Sequence, residues 1–186
     1  MLISFFSNDS LIYKDAVEAV QDEDAVFLSE SEHGICSVGH AVCYAVIIQN
    51  AKDCALFHLS SSMMLVQNIS DIMAKFSAAY PEEKATITLA RSTWGYTLQW
   101  ERDKLHDADV SAEDAEQFFA RQDKEYTDAI RAHFKNDLQL VDLSCAHLVI
   151  DKTNKLIDFH EYAPDSIEYT ENDCDDEEEC SSSFSP

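Results

Sequence analysis

Two apolar runs, 41–48 and 54–59, flank the polar stretch Gln49-Asn50-Ala51-Lys52-Asp53, and this arrangement constrains the fold more than any other part of the chain. Runs of that length around a polar turn predict two antiparallel strands joined by a five-residue loop. Cys43 lies near the start of the first run and His58 near the end of the second. In an antiparallel pair such positions fall opposite or diagonal to one another, within side-chain reach. A thiol beside an imidazole is the minimum kit for a cysteine nucleophile, because the imidazole can take the proton and stabilise the anion.

The rest of the chain must supply a body for that hairpin. Its 186 residues are 46% hydrophobic with ten Phe, enough for one core and too short for two. Three Gly and three Pro exclude a loop-rich or fibrous chain. No apolar run approaches the length of a membrane-spanning helix. The start, Met1-Leu-Ile-Ser-Phe-Phe-Ser-Asn-Asp9, lacks the basic residues and long apolar region of a secretory signal and reads as a first strand.

Charge narrows the partners. Asp and Glu number 36 against 13 Lys and Arg, a formal net charge of −23, and nine of the acids lie in 165–186. Such a surface disfavours nucleic-acid phosphates and anionic membranes, and favours a basic protein partner or mimicry of an acidic one. The six cysteines sit partly inside apolar runs (Cys43, Cys54, Cys145), which points to free thiols in a reducing compartment. Cys174 and Cys180 would pair only in an oxidising setting.

Strands are expected at 1–6 and 24–29, with a helix over 10–21 that puts Leu11, Ala16, Val17 and Val20 on one side. A polar, glycine-containing loop is expected at 30–40. Ser60–Ser62 can cap a helix running from Met63 to Tyr80, stopped by Pro81. The alternation over Lys84–Arg91 predicts a half-buried strand, and Thr93–Trp100 continues in strand-like fashion with Trp94, Tyr96 and Trp100 as a candidate pocket wall. Ser111-Ala-Glu-Asp114 has the form of a capping box and opens a long helix to about Phe134. Strands follow at 138–143, 146–151 and 156–162, and the acidic, serine-rich tail from 165 reads as disordered. Together these predict one α+β domain over 1–164, a layered, mostly antiparallel, sandwich-like sheet flanked by two or three helices, with a tail over 165–186.

In the catalytic reading Cys43 attacks a carbonyl carbon and His58 shuttles the proton. Ser37 folds back to orient the imidazole, with Gly39 allowing the turn. The backbone amides around Val42 and Cys43 would supply an oxyanion site. A reactive Cys43 should then alkylate fast near neutral pH. The plain alternative is a buried core thiol beside a strand histidine. His33-x-x-Cys36-x-x-x-His40-x-x-Cys43 carries zinc-type ligands, but the spacing is too compressed to wrap an ion, so no metal or cofactor is expected. Cys36 is the second choice of nucleophile.

The pattern Ser37-x5-Cys43-x14-His58, with a strand–turn–strand between Cys and His, resembles a group of glutamine deamidases. The group holds the chemotaxis deamidase CheD, the catalytic domain of cytotoxic necrotizing factor, and Burkholderia lethal factor. The resemblance implies a Cys–His site completed by an upstream hydroxyl, matched here by Ser37; His40-Ala41-Val42 stands where the group has a glycine or serine before the nucleophile. The tail, Glu171-Asn-Asp-Cys-Asp-Asp-Glu-Glu-Glu-Cys-Ser-Ser-Ser-Phe-Ser-Pro186, resembles the glutamate-block signal of type IV secretion effectors of intracellular bacteria such as Legionella. The two resemblances imply a bacterial effector or toxin, monomeric, secreted into the host cytoplasm and acting on a host protein. The rival is a non-catalytic acidic protein that occupies a basic surface.

Overall fold

A computed structural model describes residues 1–40, 43–59, 65–92, 112–135, 137–143, 146–153, 155–157 and 166–170. The fold is α+β, with two mostly antiparallel sheets and helices against one of them. The strands are β1 (Leu2–Ser7), β2 (Ser10–Glu18), β3 (Val26–Phe27), β4 (Gly34–Val38), β5 (Tyr44–Gln49), β6 (Cys54–Leu59), β7 (Thr86–Ser92), β8 (Asp137–Leu143), β9 (His147–Asp151), β10 (Leu156–Ile157) and β11 (Ser166–Thr170). The helices are α1 (Leu65–Ala79) and α2 (Ala112–His133). One sheet has the order β10-β9-β4-β2-β1-β11 and the other β3-β6-β5-β7-β8. Neither described helix is long and apolar enough to cross a membrane.

The predicted hairpin is the middle of the five-stranded sheet. β5 and β6 pair from Tyr44↔Leu59 to Gln49↔Cys54, so Gln49 belongs to the ladder and the loop is Asn50–Asp53. The Asn50 side chain holds that loop by accepting from the amides of Lys52 and Asp53 at 2.7 and 2.8 Å. Both faces of the pair are covered. Tyr44, Val46, Ile48, Phe57 and Leu59 pack against Leu65, Ile69, Ile72 and Phe76 of α1 and Tyr126 and Ile130 of α2. Ala45, Ile47, Cys54 and Leu56 pack against Ile35, Leu148 and Ile150 of the other sheet. Burial on both faces explains why these strands read as continuous apolar runs.

Three expectations are corrected. The segment 10–21 is not a helix: β2 pairs with β1 through a turn whose two central residues, Asn8 and Asp9, both have positive φ (47° and 59°). Short polar side chains tolerate that conformation, the one a tight hairpin turn needs. A bulge at Asp15 (φ 51°), where the Ser4 hydroxyl accepts from the Asp15 amide at 3.1 Å, breaks the strand's alternation and leaves a spacing that mimics a helix. The segment 30–40 is not a loop throughout, since β4 lies inside the six-stranded sheet between β2 and β9. Its polar residues are absorbed locally: the Ser31 hydroxyl donates to Gly34 O at 2.6 Å and accepts from Gly34 N at 2.9 Å. The tail does not begin at 165, because β11 pairs with β1 from Leu2↔Thr170 to Phe6↔Ser166 and covers its outer edge. Residues 93–111 and 171–186, with the aromatic cluster, the capping serine and the glutamate block, lie outside the described residues.

Gly34 is required by a close approach. A Cβ there would stand 2.6 Å from the backbone oxygen of Ile150 and against the Tyr13 hydroxyl. Gly34→Ala is therefore expected to destabilise the fold by about 1–3 kcal/mol, read from the urea midpoint at unchanged m.

Candidate active site

Alternation along the strands turns His58 and Ser37 into the space between the sheets from opposite sides. His58 shares the face of Cys54 and Leu56, which line the space between the sheets, and Ser37 shares the face of Ile35 across that space. Ala45 is the direct partner of His58, and Cys43 stands two residues before Ala45, immediately ahead of β5. The register thus sets Cys43 two residues along the chain from the partner of His58, and the Asp22 carboxylate acts on both groups. Cys43 is 9% exposed, His58 4% and Ser37 0%. The site lies at one end of the inter-sheet core.

Ser37 is close to this end, but its hydroxyl makes no hydrogen bond among the described residues. It does not hold the His58 ring by a hydrogen bond. Of the oxyanion candidates, the Val42 amide lies outside the described residues.

Cys36 is separated from the site by its own strand. It faces the opposite side of β4, among Ile3, Phe5, Ala16 and Val149, with its Sγ 3.8 Å from Ala16 O. Burial pushes its thiol far up. Cys54 is equally enclosed, and burial raises its pKa to about 12. All three described cysteines are free thiols, and Cys43 alone among them retains some exposure. The zinc-type spacing is dispersed by the same alternation: Cys36 points away, His33 is exposed beside Glu32, and no group of three potential ligands occurs among the described residues.

Two neighbours of His58 were not foreseen. The first is His40, whose ring centroid lies 4.2 Å from that of His58 at an interplanar angle of 43°. Gly39, at φ 80°, turns the chain after β4 so that His40 faces back into the fold, and the His40 amide donates to Ala146 O at 2.9 Å. Left-handed backbone suits glycine, so the Gly39 signal was in the sequence but was read as serving Ser37. The second is Asp22, itself at φ 59°, whose amide donates to His58 O at 2.9 Å beside a bridge between Gln21 and His58. The misread helix over 10–21 hid it.

Electrostatics decide the resting protonation. Burial, and then the Asp22 carboxylate, push the Cys43 thiol above its ordinary value of 9.0. Burial lowers His58 to about 4, with Asp22 acting in the opposite sense. At neutral pH the pair is therefore thiol and neutral imidazole, not thiolate and imidazolium. A neutral imidazole is a competent base for a thiol that ionises only as it attacks. Slow alkylation of Cys43 at pH 7, climbing steadily into the alkaline range past pH 9, is expected in place of the fast neutral reaction of an ion-paired thiolate. Mass-spectrometric rates on the Cys43 peptide against pH check this, and a plateau below pH 7 would contradict it.

Compared with known proteins, the chain matches no protein-family model and no curated protein.

Proposed function

We propose that this protein is a cysteine-dependent protein glutamine deamidase. The supporting observations are the β5–β6 register, which sets Cys43 two residues ahead of the partner of His58, and a neutral imidazole able to accept a proton. Cys43 Sγ attacks the side-chain carbonyl carbon of a target glutamine while its proton passes to His58. The tetrahedral intermediate collapses, the C–N bond breaks, and His58 returns the proton to the departing ammonia. Water, deprotonated by His58, then hydrolyses the thioester to leave glutamate and the free thiol. The proposed substrate is a host protein presenting basic residues near its glutamine, matched to a chain of net charge −23. A secreted bacterial effector is the setting that the acidic tail supports. That same charge favours one rival, a non-catalytic protein that covers a basic surface.

The test is to incubate host-cell extract with the full chain or with Cys43→Ala and to map glutamine-to-glutamate conversion by mass spectrometry. Sites converted by the parent and silent with the variant support the deamidase. Equal conversion by both, or none by either, removes it and leaves the binding reading.

A further inference from the structure

A second cavity, between β3 and the C-terminal end of α1, is lined by none of Cys43, His58, Ser37 and His40. It measures about 400 Å³, and its lining includes Phe27 of β3, Phe76 of α1 and Tyr80 just after it, together with Asp24, Glu30 and Lys75. The three rings form one file. Phe27 meets Phe76 with centroids 5.8 Å apart at 42°, and Phe76 meets Tyr80 at 6.2 Å and 44°. The Tyr80 amide donates to Phe76 O at 2.7 Å, so these two rings stand one helical turn apart on one side of α1. Phe76 is buried in the core, which fixes the file, whereas Phe27 and Tyr80 keep part of their surface exposed.

One of these rings already carries a cation. Lys75 Nζ lies 5.2 Å from the Phe27 centroid, within the range at which a ring quadrupole attracts an ammonium. Asp24, Glu30 and Lys75 are exposed, and none of the three forms an ion pair among the described residues. A third carboxylate, Asp53, is engaged in holding the backbone: it accepts from the Ser29 amide and hydroxyl at 3.0 and 2.7 Å and from the Cys54 amide at 2.8 Å. The lining thus sets three carboxylates against one ammonium. The last turn of α1 also lacks a basic residue, so no side chain of that turn offsets the partial negative charge of its terminal carbonyls.

We infer that this cavity binds the side chain of a lysine presented by a protein partner, whose ammonium displaces that of Lys75 from the Phe27 ring while its methylenes lie along Phe76 and Tyr80. Three features of the occupant follow from the lining. It is cationic, because an anion would meet the carboxylates and a neutral group would leave them unanswered. It has an apolar stem, because the wall behind the charge is aromatic. It is one side chain and not a folded element, because the volume falls at the lower end of the range for small-ligand sites. The net charge of −23 draws a basic partner toward this surface, and the cavity then gives one of its lysines a seat. The site serves a substrate and a covered basic surface equally, so it rests on neither reading of the active site.

Lys75 makes the inference sharp, because it is a tethered competitor for the same ring face. The experiment titrates the full chain, labelled with 13C in Phe and Tyr, with acetyl-Gly-Gly-Lys-Gly-Gly-amide and follows the ring resonances by NMR. Phe27 and Tyr80 should shift to saturation with this peptide and not with its Nε-acetyl-lysine counterpart, which keeps the stem and loses the charge. Lys75→Met, which removes the competitor, should tighten binding roughly fivefold or more. Lys135→Met removes the same charge at a position that does not line the cavity and should change affinity far less. Phe27→Leu should weaken binding about fivefold; should that variant not fold, Asp24→Asn with Glu30→Gln, both at exposed positions, should weaken it instead. Absence of saturable shifts, equal shifts from the acetylated peptide, or a Lys75→Met affinity no tighter than that of Lys135→Met would each overturn the site. None of these readouts depends on deamidation, so the lysine site and the proposed activity can fail separately.

Discussion

On the proposed deamidase reading, Cys43→Ala and His58→Ala should each lower glutamine deamidation by roughly a thousandfold or more, and the double variant should be no slower than the worse single. In the proposed reaction the two side chains perform one step. Without the thiol there is no nucleophile for the imidazole to activate, and without the imidazole the raised thiol pKa leaves almost no thiolate at neutral pH. Additive losses would mean that the groups act independently, and the dyad would have to be abandoned. The acid limb of the parent's rate profile provides a second check. A base held at about 4 by burial keeps its activity well below the ordinary histidine range, down to the pH at which the fold itself gives way. Because Ser37 makes no hydrogen bond to the ring among the described residues, Ser37→Ala should change the rate far less than either dyad variant.

The largest effect on stability is expected at Asp123 of α2, 8% exposed. Its carboxylate accepts from the Tyr44 hydroxyl of β5 and the Arg91 guanidinium of β7, while Arg91 Nε also donates to Asp142 of β8 at 2.8 Å. Tyr44 also packs edge-on against Tyr126, with ring centroids 4.7 Å apart. One carboxylate thus ties α2 to two strands, and Arg91 carries the link on to a third. Asp123→Ala should cost about 3 kcal/mol, because it removes at once an acceptor of a partly buried guanidinium and an acceptor of a buried hydroxyl. Asp123→Asn should cost less, since the amide oxygen still accepts from Tyr44. The double change Arg91→Met with Asp123→Leu should cost less than Asp123→Ala, because it removes the buried charge as well and the Asp142 carboxylate it releases is exposed. Urea unfolding measures all three, and an Asp123→Ala variant as stable as the parent would show that the network contributes nothing. Tyr44 directly follows Cys43 in the chain, so loss of this anchor is also expected to speed Cys43 labelling at neutral pH.

Legibility in the sequence tracked how locally each element is specified. The β5–β6 hairpin, α1, β7, the body of α2, β8 and β9 were all visible, because long apolar or periodic runs announce themselves wherever they pack. β2 was missed because a bulge and left-handed Asp15 shift its register midway, turning a period of two into something like 3.6. β4 was missed because its residues 34–38, Gly-Ile-Cys-Ser-Val, carry little strand signal alone and gain their place from β2 on one side and β9 on the other. β11 was hidden in an acidic segment whose ladder partner, β1, lies at the opposite end of the chain. For β4 and β11 a deciding partner is remote, and a local window does not contain it.

The site divides in the same way. The sequence by itself determined the β5–β6 pairing, with Cys43 just ahead of the first strand and His58 inside the second, because a short hairpin leaves little freedom to shift. Only the tertiary structure decided what surrounds them. Packing the second sheet over that face removed Cys36 to the far side of β4, left Ser37 without a bond to the imidazole, brought Asp22 beside the His58 backbone and seated His40 on the His58 ring. It also set the protonation state, since burial depends on what the other sheet covers, and no spacing within a hairpin carries that information.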